Sequence, residues 1–136
     1  MSQTIKAVRC HRYAAFNLEG ELLPTPDPLR DVLSLDEIPR PECEDGCVLI
    51  EVNYAGVQYP EALQAQGLYQ SKPELPYIPG MDVAGIVLET GQGVERVKVG
   101  DRVFGRLDTG ALAEISSAPA NQVWKAPNGI HLSKCA

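Results

Sequence analysis

The chain has 136 residues and a formal charge of −6, with 12 Lys and Arg against 18 Asp and Glu. That length is enough for one domain with a buried core and short for an enzyme built from two domains. The acidic balance excludes an electrostatic nucleic-acid or acidic-membrane surface, which needs clustered cations, and leaves a small molecule or another protein as the expected partner.

Thr4–Arg9 sets Ile5, Ala7 and Val8 beside Lys6 and Arg9, a near-alternation that predicts a first strand with one packed face. His11–Gly20 is mixed and includes a turn. Pro24-Thr-Pro-Asp-Pro28 is too proline-dense for a helix or central strand, because proline donates no hydrogen bond and drives the residue before it toward extended backbone. It reads as an exposed connection. Val32–Ile38 resumes the alternation and stops at Pro39-Arg-Pro41, which predicts an edge strand. From Cys47 to Val57 the pattern is clearest, with Val48, Ile50 and Val52 on one face and Leu49, Glu51 and Asn53 on the other.

Pro60–Gln66 then predicts two turns of helix, with proline at a first helical position and Gly67 as the stop. Pro76–Val103 reads as a loop fixed by two prolines and Gly80, an apolar strand, a reversal at Gly91-Gln-Gly93, and a returning strand that starts at Val99. Gly110–Ser116 and Gln122–Ala126 are two more short strands before the turn at Pro127-Asn-Gly129. Many short strands punctuated by Gly and Pro favour a mainly β fold with short helices, closed into a partly open barrel, over a doubly wound sheet.

Three chemical readings are weighed against these elements. Gly91-Gln-Gly93 opens like a dinucleotide fingerprint, but Arg96 stands at the third glycine and Val97-Lys-Val-Gly-Asp lacks helical periodicity, so a hairpin turn is expected there. Cys10, Cys43, Cys47 and Cys135 are few for a disulfide scaffold, and the single Cys43/Cys47 pair is half of what a structural zinc site needs. Thiol redox at that pair would need a lowered pKa, which Glu42, Glu44 and Asp45 oppose. No apolar run reaches the roughly 20 residues of a membrane helix, and the first residues lack a signal-peptide core. The chain therefore reads as soluble and cytoplasmic.

Tyr54-Ala-Gly-Val-Gln58, Gly67-Leu-Tyr69, Leu75-Pro-Tyr-Ile-Pro-Gly-Met-Asp-Val-Ala-Gly-Ile-Val87 and Val99-Gly-Asp-Arg-Val-Phe104 follow one another in an order that resembles the zinc-independent medium-chain quinone oxidoreductases, the zeta-crystallin-like group. The resemblance spans residues 46–127; the proline-rich segment before it is extra. It implies a GroES-like domain over residues 1–136, with the nucleotide-binding Rossmann domain lying C-terminal to it and absent from this chain. It further implies NADPH as cofactor, a quinone or enone substrate, no nucleic-acid or membrane partner, and a homodimeric full-length enzyme.

Zinc-dependent relatives carry Cys where this chain has Gln58 and His-Glu where it has Met81-Asp82. An amide and a thioether are poor replacements for thiolate and imidazole, so no catalytic zinc is expected.

Hydride transfer without a metal needs an apolar slot, donors at the acceptor oxygen and a cofactor at near-attack distance. By the resemblance, Gln58 and Tyr69 are the candidate catalytic donors, and Gln58 and Leu63 the candidate cofactor contacts. Tyr59, Tyr77 and Met81 are the candidate pocket walls. Local rules also offer plainer roles: Gln58 as a loop cap, Tyr69 as a half-buried packing residue, Met81 as core, and Glu61 as an acid opposing the helix dipole. A free-standing GroES-like binding or assembly module without redox activity is the alternative function, because fold alone does not decide chemistry.

Overall fold

The computed structural model describes residues 3–136. Among them, seven strands and one α-helix form: β1 (Thr4–Cys10), β2 (Leu33–Pro39), β3 (Cys47–Gly56), α1 (Tyr59–Gln66), β4 (Asp82–Thr90), β5 (Arg102–Arg106), β6 (Ile115–Pro119) and β7 (Val123–Lys125). β1 and β2 make an antiparallel ribbon, and the other five strands make one antiparallel sheet in the order β6-β3-β4-β5-β7. Its edge strands β6 and β7 are not paired with each other, so the sheet is an open, GroES-like barrel of the expected mainly β class.

Alternation explains the core. Val48 and Ile50 of β3, Val83 and Val87 of β4, Val103 of β5, Ala118 of β6 and Val123 of β7 turn to one side, where Val97, Leu107 and Ala111 from the connections complete the cluster. Each buried Val, Leu or Ile contributes roughly 1.5–3 kcal/mol relative to exposure. The opposite face of β4 and β5 is covered as well, because Ala84 packs with Ala126 and Leu132 against Ile86 and Phe104.

The ribbon is tied to the sheet by the segment before β6: Val8 N–H donates to Leu112 O at 2.9 Å, Glu114 N–H to Lys6 O at 3.0 Å, and Val52 N–H to Glu114 O at 3.0 Å. Those bonds account for one difference from expectation. The Gly110–Ser116 strand is displaced to Ile115–Pro119, since Ala111 and Leu112 instead donate to Gly80 O and Pro79 O and pack as a loop. Likewise β5 starts at Arg102 rather than Val99. Lys98 N–H donates to Asp101 Oδ2 at 3.0 Å and Gly100 takes φ +92°, so residues 98–101 turn while Val97 plugs the core.

The long β3–β4 pairing departs from ideal register twice. Val52 faces Gly85 and Tyr54 faces Ala84, leaving Asn53 as an extra residue in β3; Leu49 faces Glu89 and Ile50 faces Val87, leaving Leu88 extra in β4. A bulge shifts the phase of the side chains after it. Val52 and Ala55, three apart, therefore both pack on the main core, whereas strict alternation would have sent Tyr54 inward. Gly85 sits at this crossing, and a Cβ there would lie 1.9 Å from Glu51 O.

A polar cluster holds the end of the ribbon at which residues 11–32 join its two strands. Asp36 Oδ2 accepts from Arg9 Nε at 2.8 Å and pairs with His11 Nε2 at 2.9 Å, while Oδ1 accepts from Ser34 Oγ at 2.7 Å. Hydrogen bonds from Arg9 first, then Ser34, lower the Asp36 pKa to about 2.

Gly85→Ala should destabilise the chain by about 3 kcal/mol or more in urea unfolding, because backbone oxygen cannot yield to a methyl group. Gly93→Ala, with open space around it at φ +88°, should cost only about 1–2 kcal/mol. Asp36 protonates near 3.9 when unfolded but near 2 when folded. Its contribution is thus complete above about pH 4 and lost as pH falls through about 2. Thermal melts of Asp36→Asn across pH 2–7 should show a lower melting temperature at neutral pH and a smaller decline on acidification.

Candidate functional site

β3 runs out at Gly56, which lies opposite Asp82 at the start of β4. Two residues later Gln58, extended at φ −131° and ψ 177°, becomes the N-cap of α1. Its backbone N–H donates to Glu61 Oε2 at 3.0 Å, which satisfies one end of the cap, and Pro60 supplies a preset helical φ in the first turn. The helix stops at Gly67, whose φ of +80° suits glycine and whose N–H returns to Gln64 O and Leu63 O. Glu61, Gln64 and Ala65 face inward. Gln64 is fully buried, and neither its amide oxygen nor its nitrogen has a protein partner.

The other wall is the loop before β4. Gly80, at φ +109°, approaches Ala111 so closely that a Cβ would meet that residue's methyl at 2.7 Å. The following Met81 is buried, and Asp82 is half-exposed at the strand's first position. The two walls meet in a single side-chain bond: Gln58 Nε2 donates to Asp82 Oδ2 at 2.8 Å. Beyond the Asn53 bulge, Tyr54 turns away from the core and stands edge-on to His131, with ring centroids 5.5 Å apart and an interplanar angle of 67°.

The expected site residues are distributed unevenly around this junction. Gln58 and Asp82 meet, and Met81 is buried immediately before Asp82. Tyr59 is 74% exposed at the first turn of α1, Leu63 is half-buried on the helix, and Tyr69 is half-buried two residues beyond Gly67. Tyr77 lies in the smaller core with Cys10, Ala14, Val32 and Ala65. Its hydroxyl is enclosed without a partner, and burial first, then the nearby Cys10, raises its pKa well above the usual phenol range. Asp82 as the partner of Gln58, and the Tyr54–His131 contact, went unread in the sequence. The position of Asp82 directly after Met81 was the available signal for the first; the second depends on the bulge and on a contact 77 residues apart in sequence.

The donor set at the junction does not fit zinc. An amide N–H aimed at a carboxylate leaves one anionic oxygen donor and a buried thioether, and among the described residues no group of three or more His, Cys, Asp or Glu is placed to hold a metal. A pyrophosphate cradle is no better served at Gly91-Gln-Gly93. Gly91 N–H is spent on Cys47 O at 2.8 Å, Gln92 O accepts from Gly46 N–H at 2.9 Å, and a Cβ on Gly91 would lie 1.8 Å from Glu44 O. This is a tight reversal against β3, as its sequence implied.

Cys43 and Cys47 are both free thiols. Burial and then the Glu89 carboxylate raise the Cys43 pKa, so the thiolate is disfavoured, although by Glu89 rather than by the adjoining Glu42, Glu44 and Asp45. No helix among the described residues is long and apolar enough to cross a membrane.

Residues 44–128 match the alcohol dehydrogenase GroES-like domain family. Quinone oxidoreductase-like protein 2 of Mus musculus is 38% identical over 109 residues, which are 79% of this chain and 31% of that protein. The structure of the human synaptic vesicle membrane protein VAT-1 homolog-like protein superposes with a TM-score of 0.82 at 28% identity, over 98% of this chain and 38% of that one. The quinone oxidoreductase from Thermus thermophilus, solved alone and in complex with NADPH, superposes with a TM-score of 0.68 at 28% identity, over 93% of this chain and 34% of that one. This chain spans about a third of the length of these relatives. Matching domain, shared fold and relatives agree: the chain belongs to the alcohol dehydrogenase GroES-like domain family, in the medium-chain quinone-oxidoreductase group of zeta-crystallin type.

Proposed function

We propose that this chain is the substrate-pocket domain of an NADPH-dependent oxidoreductase that reduces a quinone or enone by hydride transfer without zinc. The observation that carries the proposal is the Gln58–Asp82 hydrogen bond, 2.8 Å long, at the two places where zinc-dependent relatives bring metal ligands together. A cytoplasmic, homodimeric full-length protein with a C-terminal nucleotide-binding domain completes the reading. That domain holds the pyrophosphate, for which residues 91–93 offer no cradle.

Asp82 gives the amide a direction. A carboxylate only accepts, so the NH₂ end of Gln58 faces it, and with the amide oxygen turned toward the Glu61 backbone N–H of the capping box the second N–H remains for a ligand. That donor suits the carboxamide oxygen of a nicotinamide, beside the apolar Leu63. Bound NADPH supplies the hydride; this chain supplies position. Tyr69 donates its phenolic O–H to the acceptor oxygen, where negative charge develops as the hydride arrives, and a preorganised donor at that atom lowers the barrier. Tyr59 and Met81 wall the slot directly. Tyr77 fixes the wall from behind, through reciprocal backbone bonds with Cys10 of 2.8 and 3.1 Å that hold the loop leading to Met81.

The test is NADPH-dependent quinone reduction by the full-length protein. Tyr69→Phe should lower kcat by about 10²-fold with little change in KM, the loss expected for one oxyanion donor. Asp82→Ala, which frees the Gln58 amide to rotate, should lower kcat/KM by about tenfold, equivalent to about 1.4 kcal/mol. The 136-residue chain alone should show no saturable NADPH binding at micromolar concentrations by calorimetry. A folded full-length protein without reductase activity would overturn the proposal in favour of a non-redox binding module.

A further inference from the structure

The segment between β1 and β2 lies outside the family-matched residues 44–128, yet it is firmly built. Ala14 and Ala15 N–H donate to Ala65 O and Gln66 O, each at 3.0 Å, and so satisfy carbonyls that the end of α1 leaves open. Leu23 N–H returns to Ala15 O and Asp27 N–H to Ala14 O, both at 2.8 Å, which folds the segment back on itself. Asn17 Oδ1 closes the tip by accepting from Glu19 N–H at 3.0 Å and Glu21 N–H at 2.9 Å. Tyr13 Oη donates to Pro73 O, joining the segment to the loop after α1. Gly67 makes the seat: a Cβ there would lie 2.8 Å from Tyr13 Cβ and 3.0 Å from Phe16 Cε2, so both rings rest against the helix end.

Between this segment and residues 72–75 lies a concavity of about 440 Å³, whose walls include Arg12, Tyr13, Phe16, Leu18, Lys72 and Leu75. That volume is in the range of small-molecule sites, which combine apolar walls with a few polar groups. Leu18 is 88% exposed, an apolar wall open to solvent. The two cations differ in what they have left to offer. Arg12 is already in an ion pair: Nη2 donates to Asp27 Oδ2 at 2.7 Å, and Nη1 reaches Phe16 O at 3.5 Å. Lys72 Nζ sits 5.0 Å from the centroid of the Phe16 ring and joins no ion pair among the described residues. In a chain of charge −6, it places an available positive charge at the edge of an apolar hollow.

We propose that this concavity binds a small apolar carboxylate, its hydrocarbon or aryl body against Tyr13, Phe16, Leu18 and Leu75 and its anion on the Lys72 ammonium. The apolar walls provide contact area, and the charge-assisted hydrogen bond selects an anion over a neutral or cationic isostere. The site is independent of the oxidoreductase reading, because Gln58, Leu63, Tyr69 and Met81 are not among its lining residues.

Naphthoate, naphthylmethanol and naphthylmethylamine share one apolar body and differ in charge. Each is titrated into the 136-residue chain at low salt, with backbone amide shifts followed by NMR. Naphthoate should saturate with a Kd below about 1 mM, with shifts clustered in residues 12–20 and 72–75. It should bind at least about tenfold more tightly than the alcohol, and the amine should not saturate. Lys72→Gln, a change at an exposed position, should weaken naphthoate by about tenfold and leave the alcohol unchanged. Leu18→Asp should weaken both. Absence of saturation, equal affinity for acid and alcohol, shifts centred elsewhere, or naphthoate binding unaffected by Lys72→Gln would each overturn the proposal.

Discussion

The close crossing of β3 over β4 at Gly85 is the constraint on which the rest of the domain depends. With Glu51 O where a Cβ would be, the strands pair only because residue 85 has no side chain. The Asn53 bulge at the same crossing sends Ala55 into the core and Tyr54 out of it, and still brings Gly56 into register with Asp82. From there a two-residue extension places Gln58 within 2.8 Å of the Asp82 carboxylate. A single backbone approach in the sheet thus decides both where the core ends and where the polar junction begins.

The junction is held by elements with few alternatives. Pro60 and the Glu61 carboxylate set the start of α1, Gly67 its end, and the N–H groups of Ala14 and Ala15 occupy its last carbonyls. Rigid supports matter for chemistry because a catalytic donor displaced by an ångström loses much of its effect. They matter equally on the far side of the loop after α1, where Tyr13 and Phe16 are seated against Gly67 and form part of a hollow distinct from the Gln58–Asp82 junction. One short loop, residues 68–75, carries Tyr69 and also the Lys72 and Leu75 that line this hollow.

A hydrogen bond and a metal solve the same mechanical problem at the Gln58–Asp82 position, namely joining the end of β3 to the start of β4. Zinc would also polarise a bound oxygen. The amide–carboxylate pair instead leaves an oriented amide edge, which suits recognition and positioning more than electrophilic activation. This difference separates the chemistry proposed here from that of zinc-dependent relatives sharing the same barrel.

Much of this domain was legible in the chain itself. The alternation in Cys47–Gly56, the Pro60-to-Gly67 punctuation of the helix and the Gly91-Gln-Gly93 reversal are local signals, and each element formed where its signal lay. The ordered motifs likewise carried the family. Tertiary structure decided what local rules cannot reach. It moved β6 to Ile115–Pro119, because Ala111 and Leu112 found partners in the Pro79–Gly80 loop. It put Tyr77 in the smaller core, and it joined Gln58 to Asp82 across 24 positions. Side-chain period and turn propensity act over a few residues, whereas a bulge's phase shift, a loop's choice of hydrogen-bond partner and the meeting of two distant strand ends are settled only when the sheet closes and every buried N–H and C=O must find a partner.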